Sequence, residues 1–542
     1  MLNILKTLVM YLRKKLLYAT TFVLLLSACT KNFKDANTNP YNPTTTSLPP
    51  AVNSVISTLM LQWHEQASVH NDWYYPATQL AGVTAGSGYV LADGINEMWN
   101  DYYSALQNVN AVLDGAHNYV DTEAMANIKS IALILRAYKT SRITDQFGDI
   151  PYFNAGQAYT GDISKYRVKY DAQQAIYASL LSDLKWANTN IVTDGSATTT
   201  KGDKYVGMGS EDTFFGGDMS MWKKFANALR LRLAMQIVEK APADAGTVIQ
   251  DVVGGNLPLI GDGEDVGMWP AKLNALDIAS RPWSFSSHKF IRASTTFWNQ
   301  VADGTDTASI FDPRAFLFVE PNQAGAYAAY KIGSTETDTK NPYKSDRDND
   351  YSDEDGCIYS PFNYHLVRDE FYIPELVFTA AEVHFLKAEA YLRGVGVAKD
   401  AAKAATEYKA GITSSVNFWY NIAQNTNTTH DAWSSMAPAS PTGAQWDALY
   451  TNAKVAFTGS DADNLKKIYA QEWLSFFRQP WLAFNLWRRT GETPRDGEPS
   501  SYANFFRLTY PQNEAVYNTD NFNAEVNSIG GNNSTAKVWW MK

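Results

Sequence analysis

Several long segments of the chain carry apolar residues at intervals of three and four positions. This spacing places them on one face of an α-helix, which must then pack against another element. In the second segment, for example, Tyr177, Leu181 and Leu184 share a face. The clearest segments cover residues 122–148, 170–188, 221–241, 379–394 and 464–489. Convincing β-strand patterns are few, so the sequence predicts an all-α, mainly helical fold.

The sequence also indicates where some of these helices begin and end. Asp171 and Gln174 form a capping arrangement at the start of the second segment. Thr379 and Glu382 form a capping box for the fourth segment, and Gly394 is positioned to end it. These signals predict helix starts near residues 172 and 380.

Long irregular stretches rich in Gly, Asn, Asp, Thr and Ser separate the helical segments. They cover residues 190–218, 253–287, 303–363 and 421–442. Irregular segments of this length are uncommon in compact domains and are often functional. Helix pairs of about 20 residues per helix are typical of tetratricopeptide-like units. We therefore predict such helix pairs packed beside a large, irregular, loop-rich region, with a helix interrupted or bent at Pro480.

The first 28 residues have the pattern of a signal peptide. Four basic residues and no acidic ones precede the apolar run Leu16–Leu26, and the small residues Ser27 and Ala28 follow it. The run is too short, and its flanks too one-sided, for a transmembrane helix. We therefore assign residues 1–28 to a signal peptide.

The sequence Leu26-Ser27-Ala28-Cys29 resembles the lipobox of bacterial lipoproteins. The resemblance implies that the Cys29 thiol carries a diacylglycerol and that the preceding peptide bond is cut. Several acyl chains anchor more firmly than one, since each buried CH₂ contributes about 0.8 kcal/mol. An ordinary secretory signal with a cysteine near its end is the alternative. We assign residues 29–50 to a lipidated tether and leading loop, and 51–542 to a single helical domain with long loop insertions.

Charge and cysteine content restrict the partners of the remaining chain. Of the 46 basic residues four lie in the signal segment, which leaves 42 against 56 acidic residues, a net charge of −14. An acidic surface argues against binding nucleic acid. The second cysteine, Cys357, has no partner if Cys29 is lipidated, so we expect a small buried or loop thiol.

None of the catalytic signatures we searched for is complete. His64 and Glu65 begin like a zinc-protease motif, but Ser68 stands where the second histidine belongs. Gly86-Ser87-Gly88 lacks the spacing of a nucleophile elbow. The chain is therefore predicted not to be an enzyme, and an unmarked carboxylate pair of a glycosidase is the open alternative.

The densest acidic run, SDRDNDYSDEDG, covers residues 345–356. Asp346, Asp348 and Asp350 alternate as in a calcium-binding EF-hand loop, but Tyr351 replaces the glycine and no closing Glu follows. A solvated acidic loop is the simpler interpretation, and a structural calcium site is the alternative. No other cofactor is predicted.

Two clusters of aromatic residues occur in polar, loop-like sequence. The first lies in NDWYYPATQ and the following glycine-rich stretch, and the second lies in MWPAKLNALDIASRPWSFSSHKF. Exposed aromatic rings in loops can stack against sugar rings or peptides, although packing in the core is the competing interpretation for each. The candidate ligand-binding residues are Trp73, Tyr74, Tyr75, Tyr89, Trp269, Trp283 and Phe285.

A series of motifs along the chain resembles one known family. In order they are CTKNFKDANTNPYNPT, RAYKTSRITDQFGDIPYFNA, YDAQQAIYASLLSDL, GDMSMWKKFANALRLRLAMQI, DPRAFLF, AEVHFLKAEAYLRG, YKAGITSSVNFW, QEWLSFFRQPWLAFNLWRRTGETPR and RLTYPQNEAVYN. Their order and spacing resemble the SusD/RagB family of outer-membrane nutrient-binding lipoproteins, in its starch-binding-associating subgroup. The residues themselves indicate packing and pairing positions, such as Arg136, Arg230, Arg488 and Arg489, and so they indicate a fold rather than a site.

The resemblance implies a fold of four tetratricopeptide-like helix pairs beside an irregular region. It implies a lipid-anchored protein on the cell outer membrane that faces the exterior. It also implies a SusC-like TonB-dependent transporter as partner, to which the protein delivers a nutrient glycan held by aromatic loop residues. The family carries no catalytic residues.

Three alternatives to this function stay open at the level of sequence. The ligand can be a peptide rather than an oligo- or polysaccharide. The protein can be a surface glycan-degrading enzyme, or it can be a structural lid that seals the transporter and binds nothing.

Overall fold

Helices make up most of the regular structure, which confirms the all-α, mainly helical prediction. The computed structural model describes residues 47–86, 88–269, 290–340, 342, 356–363, 374–425, 437–497 and 502–542. The α-helices are α1 Leu48–Ser57, α2 Tyr75–Thr78, α3 Leu91–His117, α4 Ala126–Phe147, α5 Gln173–Asn190, α6 Met219–Gln236, α7 Pro242–Ile249, α8 Thr295–Asn299, α9 Ala315–Phe318, α10 Ala380–Arg393, α11 Ala401–Asn425, α12 Gly443–Thr451, α13 Asp461–Ser475, α14 Pro480–Thr490, α15 Gln512–Tyr517 and α16 Thr519–Ser528. There are also two π-helical segments among the described residues. Glu65–Tyr74 leads directly into α2, and Gln250–Gly254 directly follows α7.

Successive long helices pack against each other, as the predicted helix pairs require. Helix α3 packs on α4, α4 on α5, and α5 on α6. In the second half of the chain α10 packs on α11, and α13 contacts both of them. Helix α6 also contacts α10 and thereby joins the two groups.

The predicted cap of helix α5 at Asp171 is wrong. The residue at the N-cap is Ala172, whose side chain cannot form a capping hydrogen bond. The Asp171 carboxylate instead accepts hydrogen bonds from the backbone N–H groups of Tyr152 and Phe153, both at 2.9 Å. At the helix start the Asp149 carboxylate, from outside the helix, accepts a hydrogen bond from the Gln173 N–H at 2.8 Å. Both carboxylates therefore fix the DIPYF turn against α5.

The predicted boundaries of α10 are confirmed, whereas its capping box is only half formed. The Thr379 hydroxyl accepts from the Glu382 N–H, and Gly394 ends the helix with a left-handed φ of +71°. The Glu382 side chain does not reach back to the cap, because it binds the buried guanidinium of Arg232 with both oxygens. The predicted interruption near Pro480 is also confirmed, since α13 ends at Ser475 and α14 begins at Pro480.

A buried polar network joins α4, α5, α14 and the segment that contains Trp540. The Asp145 carboxylate accepts hydrogen bonds from Tyr177, Asn485 and Trp540. Arg488 donates to the Asp145 main-chain oxygen at 2.7 Å and lies over the Trp540 ring. Burial raises the pKa of Asp145 to about 6, although these hydrogen bonds oppose the shift. The motifs around Asp145 and Arg488 therefore have the structural role that the sequence indicated.

Two short antiparallel sheets fasten the long irregular segments to this scaffold. Strand β1 (Ala81–Val83) pairs with β3 (Ile291–Ala293), and β2 (Val266–Met268) pairs with β4 (Glu375–Phe378). In the first sheet Ala81 lies opposite Ala293. Residues more than 200 positions apart in sequence are thus neighbours, which periodicity along the chain does not reveal.

In the described part of the chain, no helix combines the length and apolar character needed to cross a membrane.

Candidate functional site

The most exposed tryptophan among those described is Trp63, in the turn that precedes the π-helical segment Glu65–Tyr74. Its side chain is 41% exposed, and it meets the half-buried Tyr89 edge to face with ring centroids 6.4 Å apart. Tyr89 belongs to the glycine-rich loop that links β1 to α3. Aromatic side chains at a protein surface can stack against sugar rings or peptides. We call these two side chains the Trp63–Tyr89 platform.

The start of α3 holds the turn below the platform in place. The Glu65 N–H donates to the Glu97 carboxylate at 2.9 Å, and the Ser68 hydroxyl donates to the His64 carbonyl at 2.7 Å. Gly94 of α3 lies against the same turn, where a Cβ would be 2.3 Å from Ser68 Oγ and 2.6 Å from the His64 carbonyl oxygen. Only glycine therefore allows this approach, and the position of Trp63 depends on it.

A buried ion pair lies on the inner side of the π-helical segment. The Arg142 guanidinium binds the Glu65 carboxylate, and both side chains are less than a tenth exposed. Burial would raise the pKa of Glu65, but the Arg142 guanidinium and the adjacent His70 keep it below its usual value. Burial lowers the pKa of His70, so its imidazole is neutral at neutral pH. These groups support the segment from within and are closed to a substrate.

The β1–β3 pairing extends to the start of the glycine-rich loop. Beyond Val83 the pairing continues, since the Thr84 N–H donates to the Phe290 carbonyl at 3.0 Å. The Thr84 hydroxyl also donates to the Asp338 carbonyl at 2.6 Å. Phe290 therefore lies at the base of the loop that carries Tyr89.

Gln79 fixes the end of α2 to the irregular region. It is buried in the left-handed conformation (φ +61°), which a non-glycine residue adopts only where its surroundings enforce it. Its side chain accepts from the Thr296 hydroxyl and the Asp496 N–H and donates to the Gly497 carbonyl, at 2.5, 2.7 and 2.8 Å. The Ser294 hydroxyl donates to its main-chain oxygen. One residue thus ties three chain segments together beneath the loops.

Arg292 on β3 orders the loop around Cys357. Its Nε lies 3.1 Å from the Asp338 carboxylate, which also accepts from the Ile358 and Tyr359 N–H groups. Its Nη2 donates to the Cys357 sulfur at 3.4 Å. Cys357 is fully buried, in agreement with the expectation for this thiol.

The structure separates the predicted ligand-binding aromatics into different environments. Tyr74 and Tyr75 are fully buried and donate to the Gln146 side chain and the Phe477 carbonyl. Neither ring has an accessible face, because residues distant in sequence pack over it. Neither ring is therefore available to a ligand. Trp73 is half-buried and packs on Tyr502 and Phe505 at 5.7 and 4.9 Å.

Trp269 directly follows β2 and is half-buried against Phe418, with ring centroids 6.3 Å apart. The other predicted site residues lie outside the described residues. They are Cys29, Trp283, Phe285, Asp346, Asp348 and Asp350. Among the residues that are described, no group of three His, Cys, Asp or Glu side chains is placed to hold a metal ion.

Trp63 is a candidate site residue that the sequence did not single out. It lies in MLQWHEQ, between a short apolar helix and a polar stretch, so it belongs to no apolar repeat. An isolated tryptophan flanked by Gln, His and Glu is a usable signal, because core tryptophans normally continue a periodic pattern.

The chain matches the family model SusD-like_2, described as "Starch-binding associating with outer membrane", over residues 38–511. The chain therefore belongs to the SusD-like family, as the motifs indicated. This description associates the family with starch binding and with the outer membrane.

Solved structures have the same fold. A chitin-binding protein is 24% identical with a TM-score of 0.65, and the match covers 91% of this chain and 99% of that one. A SusD homologue from Parabacteroides distasonis is 20% identical with a TM-score of 0.68, covering 92% and 98%. A chitin-binding SusD homologue from Flavobacterium johnsoniae is 20% identical with a TM-score of 0.62, covering 91% and 97%. A comparison with curated proteins finds no match.

Proposed function

We propose that this protein binds a nutrient glycan through the Trp63–Tyr89 platform and the glycine-rich loop that carries Tyr89. The observation that carries the proposal is an exposed tryptophan on a rigid base, paired edge to face with a tyrosine. The flat face of an indole suits the C–H face of a sugar ring, while polar neighbours in the loops bind hydroxyl groups. The family description and the chitin-binding relatives support a glycan as the ligand class.

The cellular role we propose is delivery of this glycan to a SusC-like TonB-dependent transporter. The protein would be held on the outside of the outer membrane by lipid at Cys29. The lipobox-like sequence and the outer-membrane association of the family support this proposal. Capture of a polymer would gain from repeated contacts along one chain, which raise the effective concentration.

We propose binding without catalysis. The relatives named above are described as binding proteins, which supports this assignment at the level of the family. Asp145, a described carboxyl group with a clearly raised pKa, is buried within the helical scaffold and accepts hydrogen bonds from Tyr177, Asn485 and Trp540. Release of reducing ends from a polysaccharide by the purified protein would contradict this part of the proposal.

A binding panel tests the ligand class. The purified protein is titrated with starch and chitin oligosaccharides and with mixed peptides, and we expect saturable binding of a glycan alone. Binding of peptides without any glycan would favour the peptide alternative, and binding of neither would favour the structural lid.

Anchoring and partnership need separate experiments. Labelled palmitate should be incorporated into the full chain expressed in a Bacteroidota host, and Cys29→Ser should abolish the incorporation. Purification of the lipidated chain from that host should recover a TonB-dependent transporter, and recovery of the protein alone at low salt would contradict the proposed partnership.

A further inference from the structure

A groove of about 480 Å³ lies on the helical scaffold, outside the loops described above. One wall is the π-helical segment Gln250–Gly254 and the turn after it, and the other wall is formed by α10 and α11. Its volume is in the range of sites that hold small ligands. The lining residues that bear on its chemistry are Val252, Val253, Leu257, Leu259, Tyr391 and Lys403.

Close contacts hold the two walls together. Gly396, after α10, lies so near α7 that a Cβ on it would be 2.5 Å from the Gly246 carbonyl oxygen. His384 of α10 lies 3.6 Å from the Asp262 carboxylate, in the segment after the π-helical turn. The groove is therefore formed in the absence of a ligand, which lowers the entropic cost of binding.

The floor of the groove is apolar and its rim is polar. Val252 and Val253 are buried, and the half-buried Leu257 and Leu259 extend the apolar surface. Tyr391 is half-buried beside them, and the Lys403 ammonium lies 5.3 Å from the centre of its ring. An aromatic ring, an apolar floor and a cation thus occur in one concave surface.

The two lysines at the rim are held by their carboxylate partners to different degrees. Both oxygens of Glu407 are engaged, one by Lys387 and the other by His384 Nδ1 at 2.7 Å. Burial would raise the pKa of Glu407, but these two partners keep it below its usual value. Among the described residues, the one carboxylate within 4.0 Å of the Lys403 ammonium is that of Asp400, at 3.8 Å, and the Lys403 side chain is 63% exposed. Its ammonium is therefore available to an anionic ligand.

We propose that this groove binds an acidic sugar, with the carboxylate at Lys403 and the ring on Tyr391 and the apolar floor. A peptide fits less well, because the helical walls offer no free strand edge and the polar rim does not suit an amphipathic helix. A ligand that carries ring C–H groups and one carboxylate matches the apolar floor, Tyr391 and Lys403, while Glu407 is already paired with Lys387 and His384. The site is independent of the Trp63–Tyr89 platform and gives an acidic polymer a second point of attachment.

Calorimetric titration with digalacturonate tests this site, with the neutral galactose disaccharide of the same linkage as comparison. We expect millimolar binding of digalacturonate that weakens as salt is added, and weaker binding of the neutral sugar. Lys403→Glu should reduce digalacturonate affinity at least about fivefold. Lys409→Glu introduces the same charge change on the same helix outside the groove and should leave the affinity unchanged.

Three outcomes would overturn the proposal. They are the absence of digalacturonate binding at millimolar concentration, equal losses from Lys403→Glu and Lys409→Glu, and loss of binding in Trp63→Ala. The last result would place the acidic sugar at the Trp63–Tyr89 platform, so that the proposed function would survive while this site would not.

Discussion

Both terminal nitrogens of Arg489 donate hydrogen bonds to the Glu389 carboxylate, one to each oxygen, at 2.7 and 2.8 Å. Both side chains are almost fully buried, and the pair joins α14 to α10. Arg393 and the Tyr469 hydroxyl bind the same carboxylate. Burial alone would raise the pKa of Glu389, but the two arginines keep it below its usual value. The family-like NLWRR sequence therefore fixes the helix scaffold.

Breaking this pair should destabilise the protein strongly. Arg489→Met removes the bidentate partner and leaves a buried carboxylate with less compensation, at a cost of about 3 kcal/mol. Urea unfolding followed by circular dichroism measures the change. Lys399→Met is the control, because Lys399 and its partner Asp461 are both at least half exposed. Its loss of unfolding free energy should stay below about 1 kcal/mol. Equal losses in the two variants would contradict the assigned role of the buried pair.

Gly94→Ala should affect both stability and ligand binding. The new Cβ would lie 2.3 Å from Ser68 Oγ and 2.6 Å from the His64 carbonyl, so the turn that carries Trp63 must move. We expect a loss of about 1–3 kcal/mol in unfolding free energy and weaker glycan binding by the folded protein. Gly443→Ala is the control, since no atom lies within 4 Å of its added Cβ. Unchanged glycan affinity in Gly94→Ala would show that the platform does not depend on this contact.

Asp265 gives the protein a defined dependence of stability on pH. Burial raises its pKa from 3.8 to about 6, partly opposed by the hydrogen bond from the Ala380 N–H. The folded state then binds this proton more tightly than the unfolded state does. The contribution of Asp265 is therefore fully present below about pH 4 and is lost as the pH rises through about 6.

The Asp265→Asn variant tests this sign. It should remove a decline of at most about 3 kcal/mol in unfolding free energy between acidic and neutral pH, measured by urea unfolding at several pH values. Asp447→Asn serves as the control, because Asp447 is exposed. It should leave this decline unchanged. A decline of the same size in wild type and Asp265→Asn would assign it to other groups.

The helical scaffold is predictable from the sequence because its signals are local. The apolar repeat of residues 122–148 and the Thr379 and Gly394 signals lie within the helices they specify. The burial of Tyr75 is different, since its hydroxyl donates to the Phe477 carbonyl 402 positions away. Such contacts decide whether a ring in an aromatic cluster is core or surface. For the same reason Trp63 was missed, because its pairing with Tyr89 depends on how α3 packs on the π-helical segment.

The central claim is that Trp63 and Tyr89 bind a glycan, and calorimetric titration of their alanine variants tests it most directly. With the tightest glycan from the binding panel, Trp63→Ala should weaken affinity about tenfold or more, because it removes the contact area of a large aromatic ring. Tyr89→Ala should have a smaller effect in the same direction. Tyr166→Ala is the matched control, since Tyr166 is 63% exposed in a separate loop. This variant should bind the glycan with wild-type affinity. Wild-type affinity in the Trp63→Ala, Tyr89→Ala double variant would contradict the account.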